Sequence, residues 1–392
     1  MSSLRQVVAK ALLVAGVTGM SATALAGGPA QSIPSVVVTI ENSAPSRGTF
    51  QTPFWIGLHD GTFDLYNRNQ PLTAEGLVGG DAVERVAEDG NIGPLNAAFA
   101  ALQPNSSQST IFGPSGPLAP GDFGSVTLNV DPTVDRYFSY ISMILPSNDA
   151  FIANGSPLAH EIFNKRGKFV ARPFAVAGSE VLDAGTEYND EVASNTAFLN
   201  QAGPDIGIPT SGVVELPPGF RTDGQFPDGV LTHPVLGVAD FTAANYRTAT
   251  VSFRYVDLGE RNRFTAILNS RSEVSANLVR SPGRGSAQAI SDGTNSVRID
   301  SNFRRLTSDV VAAHLHIGQE GTNGPVVVDL SAYARNNGVD ATIEASNIVG
   351  PLADAEDPML ALLNEMAAGN VYLNIHTAEN PAGEIRGQLK LR

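Results

Sequence analysis

Cysteine is absent from this 392-residue chain. Its absence excludes disulfides, thiolate metal sites and cysteine nucleophiles, so the fold rests on core size and on any ion held by oxygen or nitrogen. Charge is scarce too: 16% of residues are charged, and acidic groups prevail to give a formal net charge of -14. A surplus of that sign argues against nucleic acid as a partner and makes cations the natural company. Tryptophan occurs once, and no apolar run is long enough to cross a membrane as a helix. What the chain has in quantity is turn formers, 39 Gly and 25 Pro. That composition suits antiparallel sandwiches. The length allows two or three domains with proper cores.

At the N-terminus Arg5 and Lys10 flank a short apolar run, Ala11 to Val17, and Ala24-Leu25-Ala26 forms a small-x-small pattern before Gly27. This reads as a signal peptide over residues 1–26, and the expected destination is periplasm, outer surface or medium. Strands are then expected at Val36–Ile40, Phe54–Leu58, Gly124–Val130, Tyr137–Leu145 and Ala249–Val256. Two short helices are expected at Ala82–Ala87 and Pro94–Leu102, the second with Leu95, Ala98, Phe99 and Leu102 on one face. Residues 178–225 are polar and loop-like, and composition breaks at Asp257–Arg261, where the domain boundary is placed.

Beyond the break, short strands are expected at Phe264–Leu268, Ala276–Val279, Gly285–Ile290, Ser296–Asp300, Ala341–Asn347, Val371–His376 and Glu384–Leu391. A helix should start at Pro358, capped by Asp357, and stop at Gly369, with Leu360, Leu363 and Ala367 as its apolar stripe. Gly387 interrupts the last strand and signals a bulge or a close approach. The fold class is therefore all-β, two β-sandwich domains in tandem with a few short helices.

The most distinctive stretch is Ala312–Leu330, AAHLHIGQEGTNGPVVVDL. Strand side chains alternate faces, so His314 and His316 point one way while Leu315 and Ile317 point the other. His376 sits in a similar strand near the C-terminus. Neutral imidazole suits zinc or copper, and two rings on one strand plus a third from another could supply three ligands. The competing reading, preferred on sequence, is that these rings hydrogen-bond to the Gly-rich turns that follow them, because H-x-H alone is a weak motif.

A second concentration of polar groups lies in the first half. Asp149 ends a strand, and Asp183, Glu187, Asp190 and Glu191 crowd one loop. Such loops are raw material for calcium, and equally for a solvated acidic loop. No G-x-S-x-G, H-E-x-x-H or phosphate-binding loop is present, and His59-Asp60 is adjacent in sequence, poor geometry for a relay. Composition and motifs therefore favour a protein without catalytic residues.

Four of these segments, Phe54–Gly61, Val86–Gly90, Ile141–Asp149 and Asp183–Glu187, together resemble the spondin N-terminal domain over residues 35–250. The resemblance implies an extracellular β-sandwich used in adhesion, with a calcium site at one end to which Asp149, Asp183 and Glu187 would contribute. Animal members carry cysteines and usually a tryptophan after the Pro-Ser-x-Asp motif. Here Ala150-Phe151 follows, so the chain is similar to a bacterial version.

Residues 262–392 resemble the CHRD domain through Phe264–Val274, Ala313–Gly318, Asn323–Val326, Ala368–Thr377 and Asn380–Leu389. The usual Glu-Val-Pro-Pro start is shortened to Glu273-Val274-Ser275. That resemblance implies an all-β extracellular module of poorly defined activity. The histidine layout loosely resembles that of copper/zinc superoxide dismutase, which needs further histidines and a bridging ligand, so its activity is not carried over. The expectation is an exported, non-enzymatic binding, adhesion or surface-scaffold protein, calcium-stabilised in its first domain, with a surface or matrix partner. The alternative is a zinc- or copper-dependent oxidoreductase or metal-binding protein built on His314, His316 and His376.

Overall fold

The structure is a computed structural model that describes residues 32–220, 229–275, 278–293 and 295–392. The signal-peptide expectation for residues 1–26 lies outside the described residues, as do Ala276 and Asn277 of one expected strand. Leu278 and Val279, the rest of that strand, are irregular. The chain forms two compact units, Val38–Arg254, and Tyr255–Arg392 together with the segment leading to Val37. The division passes through two strands, a few residues before the compositional break at Asp257–Arg261.

The unit Val38–Arg254 is built on β1 (Pro34–Asn42), β2 (Phe50–Gln51), β3 (Phe54–His59), α1 (Gly80–Asp89) and α2 (Gly93–Leu102). Then come β4 (Gln108–Ile111), β5 (Phe123–Asn129), β6 (Tyr137–Leu145), β7 (Ala150–Ala153), β8 (Phe174–Ala177), β9 (Leu182–Asp183) and β10 (Arg247–Asp257). They pair into a sheet of order β5-β1-β10-β8 and another of order β4-β3-β6-β7-β9, with β2 also on β6. Aromatic side chains join the sheets face to face: Phe138 meets Phe253 at 4.9 Å between centroids, and Tyr140 meets Phe174 at 5.6 Å. This is sandwich packing through alternating inward residues.

The other face of the larger sheet is covered by the helices, where Trp55 lies edge-on to Phe99 in a cluster with Val83, Val86 and Phe151. Leu95 and Phe99 of α2 are buried as expected, but Leu102 is 56% exposed. The helix ends there, so its apolar stripe stops a turn early.

The second unit contains β11 (Arg263–Asn269), β12 (Arg284–Ser291), β13 (Ser296–Arg304), β14 (Val310–Ile317), β15 (Val326–Asp329), β16 (Ala334–Arg335) and β17 (Gly338–Glu344). It finishes with α3 (Pro358–Ala368), β18 (Val371–Thr377), β19 (Ile385–Gln388) and β20 (Lys390–Leu391). All ten strands belong to one sheet, order β15-β14-β18-β19-β11-β12-β13-β17-β16, with β20 on β11. Strict alternation builds its core: Val297, Ile299 and Phe303 from β13 and Val339, Ala341 and Ile343 from β17 are buried while their neighbours are exposed.

The sheet rolls until its ends meet, where Val328 bridges Ile348 and Val349 N–H donates to Val327 O at 2.9 Å. The two layers of this domain are thus one continuous sheet. Asp357 caps α3 by accepting from Leu360 N–H, and Gly369 closes it at φ 79°. Its buried face is Met359, Leu362, Leu363, Met366 and Ala367, so Leu363 and Ala367 of the expected stripe face the core while Leu360 is only half-buried and Met359 takes the inward place. At Gly387 a Cβ would lie 2.5 Å from Ile267 O, so the glycine allows β19 to approach β11. Among the described residues no helix is long and apolar enough to cross a membrane.

Candidate metal centre

The histidines meet because β14 and β18 are neighbours in the sheet although far apart in sequence. Their antiparallel register sets His314 opposite Asn374, His316 opposite Tyr372, and Ala312 opposite His376. His376 is therefore diagonal to His314 on the same face, within reach for a ring. Ala313 and Leu315, on the opposite face of β14, are fully buried in the core. Core packing thus fixes which way the imidazoles point.

One nitrogen from each of His314, His316 and His376 lies within 4.8 Å of the others. The outer nitrogens have anchors. His316 Nδ1–H donates to Gly324 O at 2.9 Å, and His376 Nδ1–H donates to Pro381 O at 3.0 Å. His314 Nε2 is 3.7 Å from Asp329 Oδ1. The first two contacts leave His316 Nε2 and His376 Nε2 as inward lone pairs, and His314 turns Nδ1 inward, where its N–H donates to His376 Nε2 and would give up that proton on binding a metal. His316 Nε2 is buried with no hydrogen-bond partner, and His314 Nδ1 lies 3.1 Å from His376 Nε2. Nitrogens on a tetrahedral zinc with bonds of about 2.05 Å sit roughly 3.3 Å apart, so modest ring movements would complete such a set.

Electrostatics favour the same state. Burial holds all three rings below the usual imidazole range, opposed at His314 by the Asp329 carboxylate and reinforced at His376 by the other two rings. Neutral imidazole is the form that ligates metal.

Several residues that sequence reasoning did not assign to this site brace it. The Tyr372 ring stacks on His316, 4.9 Å away and 3° from parallel, and the Arg386 guanidinium sits 3.4 Å from the Tyr372 centroid. Arg386 also donates to Asn323 Oδ1 and Gln319 O, tying down the Gly-rich turn that supplies the Gly324 carbonyl. Within that turn Gly321 takes φ 83°, while a Cβ at Gly324 would come within 1.6 Å of Ile317 O. Tyr372 and Asn374 carried a readable signal, since they lie four and two residues before His376 on one strand face.

The acidic residues behave differently. Asp149 Oδ2 accepts from Thr186 N–H at 2.9 Å and Glu187 N–H at 3.0 Å, while Oδ1 is buried without a partner. Glu187 Oε1 accepts from Gly207 N–H at 2.8 Å, and its Oε2 is likewise buried and unpartnered. Asp183 engages both oxygens within its own loop, with Gly185 N–H and the Asn189 amide. Among the described residues, the histidines are the set of three or more His, Asp or Glu donors close enough to hold one ion. The remaining candidate relay is structural: His59 is buried, bonded to Ser139 Oγ and Gly61 N–H, and burial lowers it to about 4.

Burial, with the Asp183 charge, pushes Asp149 up to about 6, and burial, with the Asp149 and Asp89 charges, pushes Glu187 up to about 7. A carboxyl raised above its unfolded value favours the fold when protonated, and that advantage fades as pH rises through the folded value. Glu187→Gln should therefore stabilise the metal-free chain at pH 8 by about 1–2 kcal/mol after allowance for solvent screening. The gain should vanish below about pH 5. Denaturant melts of both proteins at the two pH values, in chelator, make the comparison, and a gain independent of pH would show that ionisation is not its source.

The sequence profile of the CHRD domain matches residues 264–389, a stretch that includes all three histidines. A CHRD domain therefore occupies the C-terminal part of the chain. No curated protein matches the chain.

Proposed function

We propose that the CHRD unit is a metal-binding module that holds zinc or copper through His314 Nδ1, His316 Nε2 and His376 Nε2. The observation that carries this reading is the buried His316 Nε2, which has no partner and shares a site with two other inward imidazole nitrogens. Three neutral nitrogens without a thiolate suit zinc or copper(II) and do not suit calcium. Three protein ligands leave a fourth position for water or an external ligand, the arrangement of a site that exchanges ligands. The test is copper(II) titration followed by electron paramagnetic resonance. Hyperfine splitting from several imidazole nitrogens is expected, with one equivalent bound and none in His316→Ala. Absence of zinc and copper uptake by the full chain would remove the reading.

A second reading concerns the first unit and rests on Asp149 Oδ1 and Glu187 Oε2, two buried carboxylate oxygens with no partner. A calcium ion taking these two oxygens would need four or more others from carbonyls, amides or water. The resemblance of residues 35–250 to the spondin N-terminal domain supports it, as it supports adhesion to a surface or matrix component. An unchanged melting curve in chelator would rule calcium stabilisation out.

A further inference from the structure

Basic residues are few in this chain, 25 Lys and Arg against 39 Asp and Glu. Five arginines nonetheless gather at one end of the rolled sheet. Arg284 on β12 stands directly opposite Arg304 on β13. In the next row of the same outer face, Asn302 pairs with Gly338, which pairs with Arg335. Arg280 and Arg305 lie in the loops that leave this end, and both loops are fastened to Glu384, which accepts from Ser281 Oγ and from Thr307 N–H. All five side chains are exposed.

Nothing in the fold accounts for that placement. Like charges directly opposite across two strands destabilise a sheet. Arg298, on the same strand, pairs with Asp340, but none of the five enters an ion pair among the described residues. Two acids of the adjoining loops have other partners: Glu384 is buried under its hydroxyl donors, and Asp309 accepts from the Asn336 amide. Arg305 also holds φ 59°, a left-handed conformation that long side chains rarely adopt.

The apolar neighbours indicate what the arginines face. Ile267, 74% exposed, and Leu278, 75% exposed, are the most exposed large apolar side chains among the described residues. Ile267 pairs with Ser286 in the row that leads through Asn302 and Gly338 to Arg335, and Leu278 precedes Arg280 by two residues. Guanidinium groups beside projecting aliphatic side chains match a phosphate headgroup layer, where the former bind phosphate oxygens and the latter enter the acyl boundary. Acidic groups elsewhere in the chain are screened beyond a Debye length of about 8 Å.

We propose that this end of the CHRD unit docks on an anionic lipid surface through Arg280, Arg284, Arg304, Arg305 and Arg335, with Ile267 and Leu278 inserting. The full chain should sediment with vesicles of phosphatidylglycerol and phosphatidylcholine at low salt, and not with phosphatidylcholine alone. Each arginine near such a surface contributes about fivefold, so Arg284→Gln with Arg304→Gln should lower the partition coefficient roughly 25-fold. Ile267→Ser with Leu278→Ser should weaken vesicle binding while leaving binding to soluble dextran sulfate unchanged. Both variants change exposed side chains, and melting curves matching the parent confirm that they fold. The proposal is overturned if the parent ignores anionic vesicles or if the arginine variant binds them equally. It is also overturned if the serine variant keeps full vesicle binding, which would mark a site for soluble polyanions.

Discussion

Zinc or copper(II) at a hundred times its dissociation constant should stabilise the CHRD unit by about 2.7 kcal/mol, raising its melting temperature by roughly 5–10 °C. His314→Ala should abolish that shift and leave the metal-free melting temperature within a few degrees of the parent. The choice of residue follows from its surroundings. The outer nitrogen of His314 reaches only toward the exposed Asp329, so the ring holds no loop in place. His316→Ala should abolish the shift as well, but it should also lower metal-free stability. That ring bonds Gly324 O and carries the Tyr372 stack, contacts that alanine cannot replace. The contrast separates the two readings of the histidines. If they served only to organise turns, metal would shift neither melting temperature and the His314 variant would resemble the parent throughout. Differential scanning calorimetry in chelator, then with added metal, reads all of these outcomes.

The sequence made the face of β14 legible but not the site. Alternation alone places His314 and His316 together, and the buried Ala313 and Leu315 between and beside them show why that pattern holds. Convergence with His376 depends on β14 pairing β18, and three strands and a helix intervene in the chain. No local pattern encodes such a pairing. The preference for turn organisation was partly right in kind, because His316 and His376 do bond loop carbonyls. Those bonds occupy one nitrogen of each ring and aim the other inward, so anchoring and ligation belong to the same arrangement.

Elsewhere the same limit applies. The caps of α3 were readable from Asp357, Pro358 and Gly369, because capping is local chemistry. The buried face of that helix was readable at Leu363 and Ala367 but not in the first turn, where the core decides whether Leu360 or Met359 turns inward. Gly387 was legible as an anomaly, and only the neighbouring Ile267 carbonyl shows what the anomaly permits. The Arg284–Arg304 pair was invisible for the reason that hid His376: cross-strand register is a property of the folded sheet.

Glu384 shows how one buried charge can hold several segments, and its replacement should be among the most damaging single changes in the second unit. The side chain is fully buried and accepts from Thr307 N–H at 2.8 Å, Thr307 Oγ1 at 2.9 Å, Thr377 Oγ1 at 2.6 Å and Ser281 Oγ. Burial alone would raise its carboxyl, but these hydrogen bonds together outweigh burial and hold it below the usual glutamate range. Glu384→Ala leaves the Thr307 amide and three hydroxyls without their acceptor, and should cost about 3 kcal/mol, or roughly 6–12 °C in melting temperature. Glu384→Gln keeps the shape and one acceptor, so it should cost less. Its use lies in pH. A carboxyl lowered by folding contributes stability above its unfolded value of about 4.5, and loses that contribution as pH falls through the folded value. The stability difference between parent and Glu384→Gln should therefore be full at pH 7 and shrink steadily below about pH 4.5. A difference that stays constant from pH 7 to about pH 3 would mean that shape, and not charge, is what Glu384 supplies.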